Sequence, residues 1–172
     1  PPSPQDPYGI AKVAAEDILR NLCEVHNTEY VIAVPHNIIG PRQKYDDPYR
    51  NVVSIMINLM LQKRQPIIYG DGEQKRCFSY VSDCVDTLYQ MAFNSKTNSQ
   101  IYNIGPDEEF VTINKLSEII ANKLKFNLNP IYYADRPLEV KNSYCSSAKI
   151  KKELRYTTST SLEKGIEKTI EY

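Results

Sequence analysis

The sequence has few of the residues from which metal sites and nucleic-acid surfaces are built. Its four cysteines, Cys23, Cys77, Cys84 and Cys145, form no C-x-x-C pair, and only two histidines accompany them. This composition argues against a metal site, and we expect reduced thiols in a cytoplasmic protein. Basic and acidic residues balance at 21 each without any basic block, which argues against nucleic acid as a partner.

Long apolar runs are also missing. The most apolar segment, Val52 to Leu61, is interrupted by Ser54 and Asn58. It is too short to cross a bilayer, which takes about 20 predominantly apolar residues, so we expect no membrane partner. The chain has 172 residues, and a domain of that size buries roughly 70% of the surface of its unfolded chain.

Helical and strand patterns alternate along the chain, which predicts the α/β class. Apolar residues recur every fourth position from Ile10 to Leu22, and Asp6 and Pro7 suit the N-cap and the first helical position. Further helices are predicted from Val52, from a cap at Ser82 or Asp83, from Thr112, near Ser147 and near Ser161. Strands are predicted at "EYVIAV", "PIIY", "RCFSYV", "QIYNIG" and "NPIYYA". The helix from Val52 is apolar almost all round, so we expect it to be covered on most sides.

The stretch "DPYGIAK" places Tyr8 and Lys12 four residues apart, and therefore on one helix face. A free tyrosine has a pKa of about 10, so a shift of about three units is needed to make it a base at neutral pH. One nearby cation lowers such a pKa by about one to three units. A second positive group, such as an oxidised nicotinamide ring, would complete the shift. The alternative is a chance Y-x-x-x-K, with Lys12 in an ordinary ion pair with Glu16.

The longer stretch "PYGIAKVAAEDIL" resembles the active-site helix of the extended short-chain dehydrogenases/reductases, specifically the nucleotide-sugar epimerases and dehydratases. The resemblance implies that Tyr8 is the general base. It also implies that Lys12 binds the nicotinamide ribose and lowers the tyrosine pKa. Both residues are therefore expected to be catalytic and to contact NAD.

Two later segments extend the resemblance. "VPHNIIGPRQ" places Asn37 on the asparagine that bonds the substrate diphosphate, while the plain alternative is an asparagine that caps a turn. "RNVVSIMINLM" resembles the helix whose start contacts the nucleotide. There Asn51 and Val52 match positions that donate amide or backbone bonds, and a helix N-terminus favours an anion in any case.

The block "PIIYGDGEQKRCFSYVSD" is the most specific part of the resemblance. Ile67 and Tyr69 match positions around the base, where an aromatic face packs on a nucleobase. Arg76 matches the arginine that grips the diphosphate, for which a planar fork is well suited. The alternative is a solvated arginine at a strand end. We assign Asp83 to helix capping rather than to chemistry.

"DRPLEVKNSYCSSAKIKKEL" resembles a late family pattern in which Arg136 reaches the diphosphate and Glu139 the ribose hydroxyls. The resemblance also indicates what is absent, because the family begins with a G-x-x-G-x-x-G loop that the six glycines here do not form. We therefore expect the C-terminal part of a longer enzyme, inactive by itself, with NAD bound mainly by the missing N-terminal half.

The resemblance implies a domain division and a reaction. Residues 1–35 would be the tail of the Rossmann-type NAD-binding domain, and residues 36–172 the sugar-nucleotide-binding domain, with 76–105 packing back on the Rossmann sheet. The implied function is a C4 epimerase of a nucleotide-diphosphate sugar, with a UDP-sugar favoured. A 4,6-dehydratase, a decarboxylase, a non-catalytic regulator and a self-standing binding module remain open. A homodimer is expected through the Tyr8–Lys12 helix, whose second face carries Cys23 and Val25.

Overall fold

The computed structural model describes residues 3–4, 6–46, 51–106, 110–137 and 146–172. Within these ranges the helices are α1 (Pro7–Val25), α2 (Val52–Leu61), α3 (Val81–Ala92), α4 (Ile113–Leu124), α5 (Ala148–Leu154) and α6 (Leu162–Glu171). The strands are β1 (Val31–Pro35), β2 (Ile38–Ile39), β3 (Ile67–Tyr69), β4 (Lys75–Arg76), β5 (Ser79–Tyr80), β6 (Gln100–Ile104), β7 (Val111–Thr112) and β8 (Ile131–Tyr133). The predicted α/β class is confirmed.

The strands associate in pairs, most of them parallel. β1 runs beside β6, from Val31 opposite Gln100 to Pro35 opposite Ile104. β2 pairs with β5 and β3 with β8, also in parallel, while β4 and β7 are antiparallel. The prediction of a single strand at "RCFSYV" is therefore wrong, since two short strands occur there. The segment is split into β4 and β5, because the two halves pair with different partners.

Helix α1 begins as the sequence predicts. Asp6 is the N-cap, its Oδ1 accepts a hydrogen bond of 2.6 Å from the Gly9 backbone N–H, and Pro7 occupies the first helical position. The apolar stripe of this helix is exposed in the described structure, with Ile18 and Val25 60% and 77% accessible. Cys23 is instead buried within the chain, so the expectation that it shares an outer face with Val25 is wrong.

The larger core lies between α2, α4 and α6. Met56 and Met60 of α2 pack with Leu116 and Ile120 of α4 and with Ile166 of α6, and all five are buried. The expectation that α2 is covered on most sides is confirmed, because Val53 and Ile57 are buried as well and Leu61 is the one exposed residue of this helix. Among the described helices, none has the length and apolar character needed to cross a membrane.

A smaller cluster fixes α3 and α5 against the β1–β6 pair. Cys84 and Met91 of α3 and Ile150 of α5 pack with Tyr102 and Ile104 of β6. The Tyr102 hydroxyl donates a 2.6 Å hydrogen bond to Glu153 Oε2 at the end of α5. The segment between Arg76 and Gly105 therefore packs against β1 through α3 and β6. The division of the chain into two domains remains a prediction.

Asp83 does not cap its own helix, contrary to the sequence-based assignment. The N-cap of α3 is Tyr80, which makes no side-chain capping bond, and Asp83 lies in the first turn, buried. Its Oδ1 accepts a 2.5 Å hydrogen bond from Ser159 Oγ, and its Oδ2 accepts from the backbone N–H groups of Ser159 and Thr160 at 3.2 and 3.1 Å. The carboxylate thus holds the start of the α6 segment on α3.

We predict that Asp83→Ala lowers the free energy of unfolding by about 2 kcal/mol, because several bonds to one buried charged acceptor are lost together. Asp86→Ala is the matched control, since Asp86 is an exposed aspartate on the same helix. Urea denaturation of the two variants measures the difference. Equal stabilities would contradict the anchoring role of Asp83.

Candidate functional site

A cavity of about 220 Å³ opens between α2, β3 and the segment that follows β8. Its walls are mostly apolar and come from Val52, Ile55, Leu59, Ile67, Ile68 and Ile113. Its polar lining residues are Tyr69, Gln74, Arg76 and Arg136. The cavity thus brings together five of the residues that the sequence assigns to substrate: Val52, Ile67, Tyr69, Arg76 and Arg136.

The parallel pairing of β3 with β8 builds one wall of this cavity. Tyr69 lies opposite Tyr133 in the register, and their ring centroids are 6.0 Å apart in an edge-on arrangement. Three residues after Tyr133, the Arg136 guanidinium carbon lies 3.8 Å from the centroid of the Tyr69 ring. Since a cation at that distance is attracted by the ring, the arginine covers one face of Tyr69.

A glycine turns the chain directly after this part of the wall. Gly70 follows Tyr69 directly and has a φ of 71°, in the left-handed region that side chains disfavour. A Cβ at this position would collide with the carboxylate of Asp135, the neighbour of Arg136. The turn predicted from Gly70, Asp71 and Gly72 is therefore present, and it lets the two strand ends meet.

The electrostatics of the cavity favour an anion. Arg76 and Arg136 both line it, and among the described residues that do so none is acidic. The Arg76 Nη1 donates a 2.8 Å bond to the Lys75 backbone carbonyl, which orients the guanidinium at the end of β4. Two guanidinium groups beside apolar walls suit a ligand with a phosphate group at one end and a flat apolar body at the other.

Asn37 and Asn51 do not line this cavity. Asn51 caps α2, since its side-chain oxygen accepts from the Val53 N–H at 3.0 Å and its amide donates to the Ile38 carbonyl at 3.2 Å. Asn37 has a φ of 37°, and its amide donates a 2.9 Å bond to the Cys77 carbonyl. Both amides thus support the local backbone, and their expected contacts with substrate stay predictions.

Tyr8 and Lys12 lie together on α1. The Lys12 Nζ is 5.3 Å from the centroid of the Tyr8 ring, and Tyr8 is 71% exposed. The alternative partner of Lys12, Glu16, bonds Arg20 instead, with 3.1 Å between Glu16 Oε2 and Arg20 Nη2. The structure therefore favours the tyrosine over the glutamate as the neighbour of Lys12.

Sequence reasoning missed several residues of the cavity. The only sequence signal for Ile55 and Leu59 as cavity residues was the nearly uniform apolar surface of α2. The only signal for Gln74 was its position two residues before Arg76. Glu139, assigned to the ribose, lies outside the described residues. Among the residues described, no group of three or more His, Cys, Asp or Glu side chains is placed to hold a metal ion.

Known proteins match the chain over nearly its whole length. A family model described as GDP-mannose 4,6 dehydratase matches residues 1–169. A putative UDP-glucose 4-epimerase of Methanocaldococcus jannaschii is 34% identical over 174 residues, which cover 100% of this chain and 54% of that protein. The chain spans about half the length of the curated relatives that it matches.

Two solved structures show the same arrangement of elements. UDP-glucose 4-epimerase of Thermotoga maritima with UDP-glucose gives a TM-score of 0.89 at 32% identity, over 99% of this chain and 54% of that chain. UDP-glucuronic acid 4-epimerase of Bacillus cereus with UDP-glucuronic acid and NAD gives a TM-score of 0.91 at 25% identity, over 100% of this chain and 54% of that chain.

We predict that Arg76→Ala weakens binding of UDP to this chain by about tenfold or more, because charge-assisted hydrogen bonds are lost. Isothermal titration calorimetry gives the dissociation constants. Arg64→Ala is the matched control, since it removes the same charge from an exposed position that does not line the cavity. An equal loss of affinity in both variants would show that only net charge matters.

Proposed function

We propose that this chain, which belongs to the extended short-chain dehydrogenase/reductase family through its match to the GDP-mannose 4,6-dehydratase model, forms part of a nucleotide-sugar C4 epimerase. The observation that carries the proposal is the cavity lined by Val52, Ile67, Tyr69, Arg76 and Arg136. Its apolar walls suit a nucleobase and its two arginines suit a diphosphate. A UDP-sugar is the favoured substrate, as in the two epimerases compared.

The proposed reaction needs a diphosphate that stays bound in one place and a sugar ring that can turn over. C4 epimerisation passes through a 4-keto sugar that must present its other face to the hydride donor. Arg76 and Arg136 would hold the diphosphate throughout, with Asn37 as a further amide donor, while the sugar ring turns over. Tight binding of the non-reacting part of a substrate is an efficient way to position the part that reacts.

Tyr8 would carry the proton in this reaction. Its phenolate oxygen takes the proton of the sugar 4-hydroxyl and returns it after the sugar has turned over. The ammonium of Lys12, 5.3 Å from the Tyr8 ring centroid, stabilises the negative charge of the phenolate. An exposed tyrosine on a helix is accessible to a substrate, which suits this role.

The Tyr8–Lys12 pair fits one end of NAD. Lys12 is exposed and has donors for a ribose hydroxyl, while the six glycines of the chain form no dinucleotide-binding loop. Bound NAD would accept the C4 hydride and return it. In this proposal residues 1–35 belong to the NAD-binding domain and residues 36–172 to the sugar-nucleotide domain, so the chain by itself is inactive.

A 4,6-dehydratase is the second candidate, because the matching family model is that of GDP-mannose 4,6 dehydratase. It would use the same Tyr8 and the same grip on the diphosphate, as would a decarboxylase. A non-catalytic regulator is disfavoured by the contact between Lys12 and Tyr8, which binding alone does not require. The product of the reaction separates these candidates.

The exposed stripe of α1 supports the proposed homodimer. Ile10, Ile18, Leu22 and Val25 are each more than half exposed, with accessible fractions between 53% and 77%. An apolar stripe of this kind favours association with another protein surface. Cys23, Cys77 and Cys84 are buried thiols, and thiols of this kind are consistent with the reducing conditions of the proposed cytoplasmic location.

We predict that Tyr8→Phe lowers kcat by about 100-fold or more, because the proton acceptor is lost. The Kd for UDP should stay within about twofold, since no charge-assisted bond to the diphosphate is removed. The assay uses the polypeptide that carries this chain together with a NAD-binding part, with UDP-glucose as substrate and NMR to identify the product.

Tyr89→Phe is the matched control, since Tyr89 is an exposed tyrosine on α3 that does not line the cavity. Conversion of UDP-glucose to its C4 epimer by the unmodified protein supports the epimerase, whereas a 4-keto-6-deoxy product supports the dehydratase. Unchanged turnover in Tyr8→Phe would refute the role of this residue as the base.

A further inference from the structure

The Arg136 guanidinium is oriented by an aromatic ring. Within the part of the chain that the structure describes, this side chain makes no hydrogen bond or ion pair. Its guanidinium carbon lies 3.8 Å from the centroid of the Tyr69 ring. Arg76, the other arginine of the cavity, instead donates a hydrogen bond from Nη1 to the Lys75 carbonyl. The two cations are therefore held in different ways.

The short distance indicates that the guanidinium is stacked on the ring. Carbon atoms of flat groups in contact lie about 3.5 to 4.0 Å apart. A guanidinium standing on its edge at 3.8 Å would push an N–H group into the Tyr69 ring. The plane of Arg136 therefore lies over the face of the ring, where the negative potential of the ring attracts the cation.

Stacking leaves the N–H groups of the arginine available. These donors point outward in the plane of the guanidinium, whereas the ring contacts the face of that plane. An ion pair with a carboxylate would also orient the arginine, but it would use the N–H groups that a phosphate needs. The Tyr69 ring can thus fix the plane of Arg136 and leave its fork of donors to an anion.

The ring is a firm support because the backbone that carries it is fixed from both sides. The carbonyl of Tyr69 accepts a 2.9 Å hydrogen bond from Gln74 Nε2. The N–H of Gly70, in the same peptide unit, donates a 2.9 Å hydrogen bond to the Tyr133 carbonyl. The Tyr133 ring also packs against the ring of Tyr69. The pairing of β3 with β8 therefore places both the ring and the segment that leads to Arg136.

This support matters because Arg136 is exposed. A long exposed side chain samples many rotamers, and ordering it when a ligand binds lowers the affinity. A contact that holds the guanidinium before the ligand arrives reduces this loss. Such a contact is needed more by Arg136 than by Arg76, whose guanidinium already has a hydrogen bond.

We propose that Tyr69 is a positioning residue, whose ring orients the Arg136 guanidinium toward the diphosphate of the ligand. This inference rests on the proposed function, since it takes Arg136 to bind the diphosphate. Tyr69 acts through Arg136 and uses the face of its ring, so its hydroxyl is not required. A ring that instead contacts the ligand directly would act independently of Arg136, and this difference can be measured.

The test is a double-mutant cycle on Tyr69 and Arg136, with the Kd for UDP measured by NMR titration of this chain. We expect Tyr69→Leu to weaken binding about fivefold, because the cation–π contact is lost. Tyr69→Phe keeps the ring and should restore the Kd to within about twofold of that of the unmodified chain. In the Arg136→Ala background, Tyr69→Leu should change the Kd by less than about twofold, because the ring has no guanidinium left to orient.

Tyr89→Leu is the matched control, since Tyr89 is an exposed tyrosine on α3 that does not line the cavity. It should leave the Kd for UDP unchanged. Replacement of Tyr69 by pentafluorophenylalanine is a second variant, for use if Tyr69→Leu impairs folding. It keeps a flat ring but removes the negative potential of the ring face, so it should weaken UDP binding in the presence of Arg136 and have no effect in Arg136→Ala.

The other outcomes separate this inference from the proposed function. An equal loss from Tyr69→Leu with and without Arg136 would show that the ring acts independently of the arginine, which overturns the inference but leaves the proposed function intact. An unchanged Kd in Tyr69→Leu, or a Tyr69→Phe variant as weak as Tyr69→Leu, has the same consequence. If UDP does not bind the unmodified chain, the proposed function is wrong and the role of Tyr69 fails with it.

Discussion

The parallel pairing of β3 with β8 is the constraint on which the candidate site depends. Carboxyl ends of parallel strands meet at one edge, so Tyr69 and Arg136 come together although the chain between them forms β4 to β7, α3 and α4. Gly70 suits the turn that follows β3, because its φ of 71° lies in the left-handed region that side chains disfavour. The cavity wall is thus a consequence of register, and the apolar side of α2 closes it.

The residues proposed to bind substrate and those proposed to transfer the proton lie in different parts of the structure. Arg76 and Arg136 belong to a cavity formed by strand ends and helix α2, whereas Tyr8 and Lys12 stand on an exposed helix. The proposed reaction at C4 of a sugar would need both, because one group must hold the substrate while another moves a proton.

Local features of the fold were predictable from the sequence, while features set by distant partners were not. The caps at Asp6 and Thr112 follow from residue types next to each helix, and the structure confirms both. The anchoring of Ser159 by Asp83 joins residues 76 positions apart, so the local pattern suggested an ordinary cap. Similarly, "RCFSYV" has the composition of one strand, but its two halves pair with different strands.

The candidate site shows the same limit. Its arginines were assigned from the family resemblance, and the family itself is confirmed by the matches. Neither the contact of Arg136 with the Tyr69 ring nor the bond of Gln74 to the Tyr69 carbonyl could be deduced from spacing. Both depend on where β3 and β8 place the backbone, which is a property of the tertiary structure.

Hydrogen–deuterium exchange of the chain with and without UDP tests the central claim most directly, because it locates the bound nucleotide without any substitution. If UDP binds in the cavity, amide exchange should slow in peptides that span residues 52–59 and 67–76, and the exchange rates of β1 and β6 should stay unchanged. Protection confined to other parts of the chain, such as the surface formed by residues 40–45 and 169–172, would contradict the assignment of this cavity as the nucleotide site.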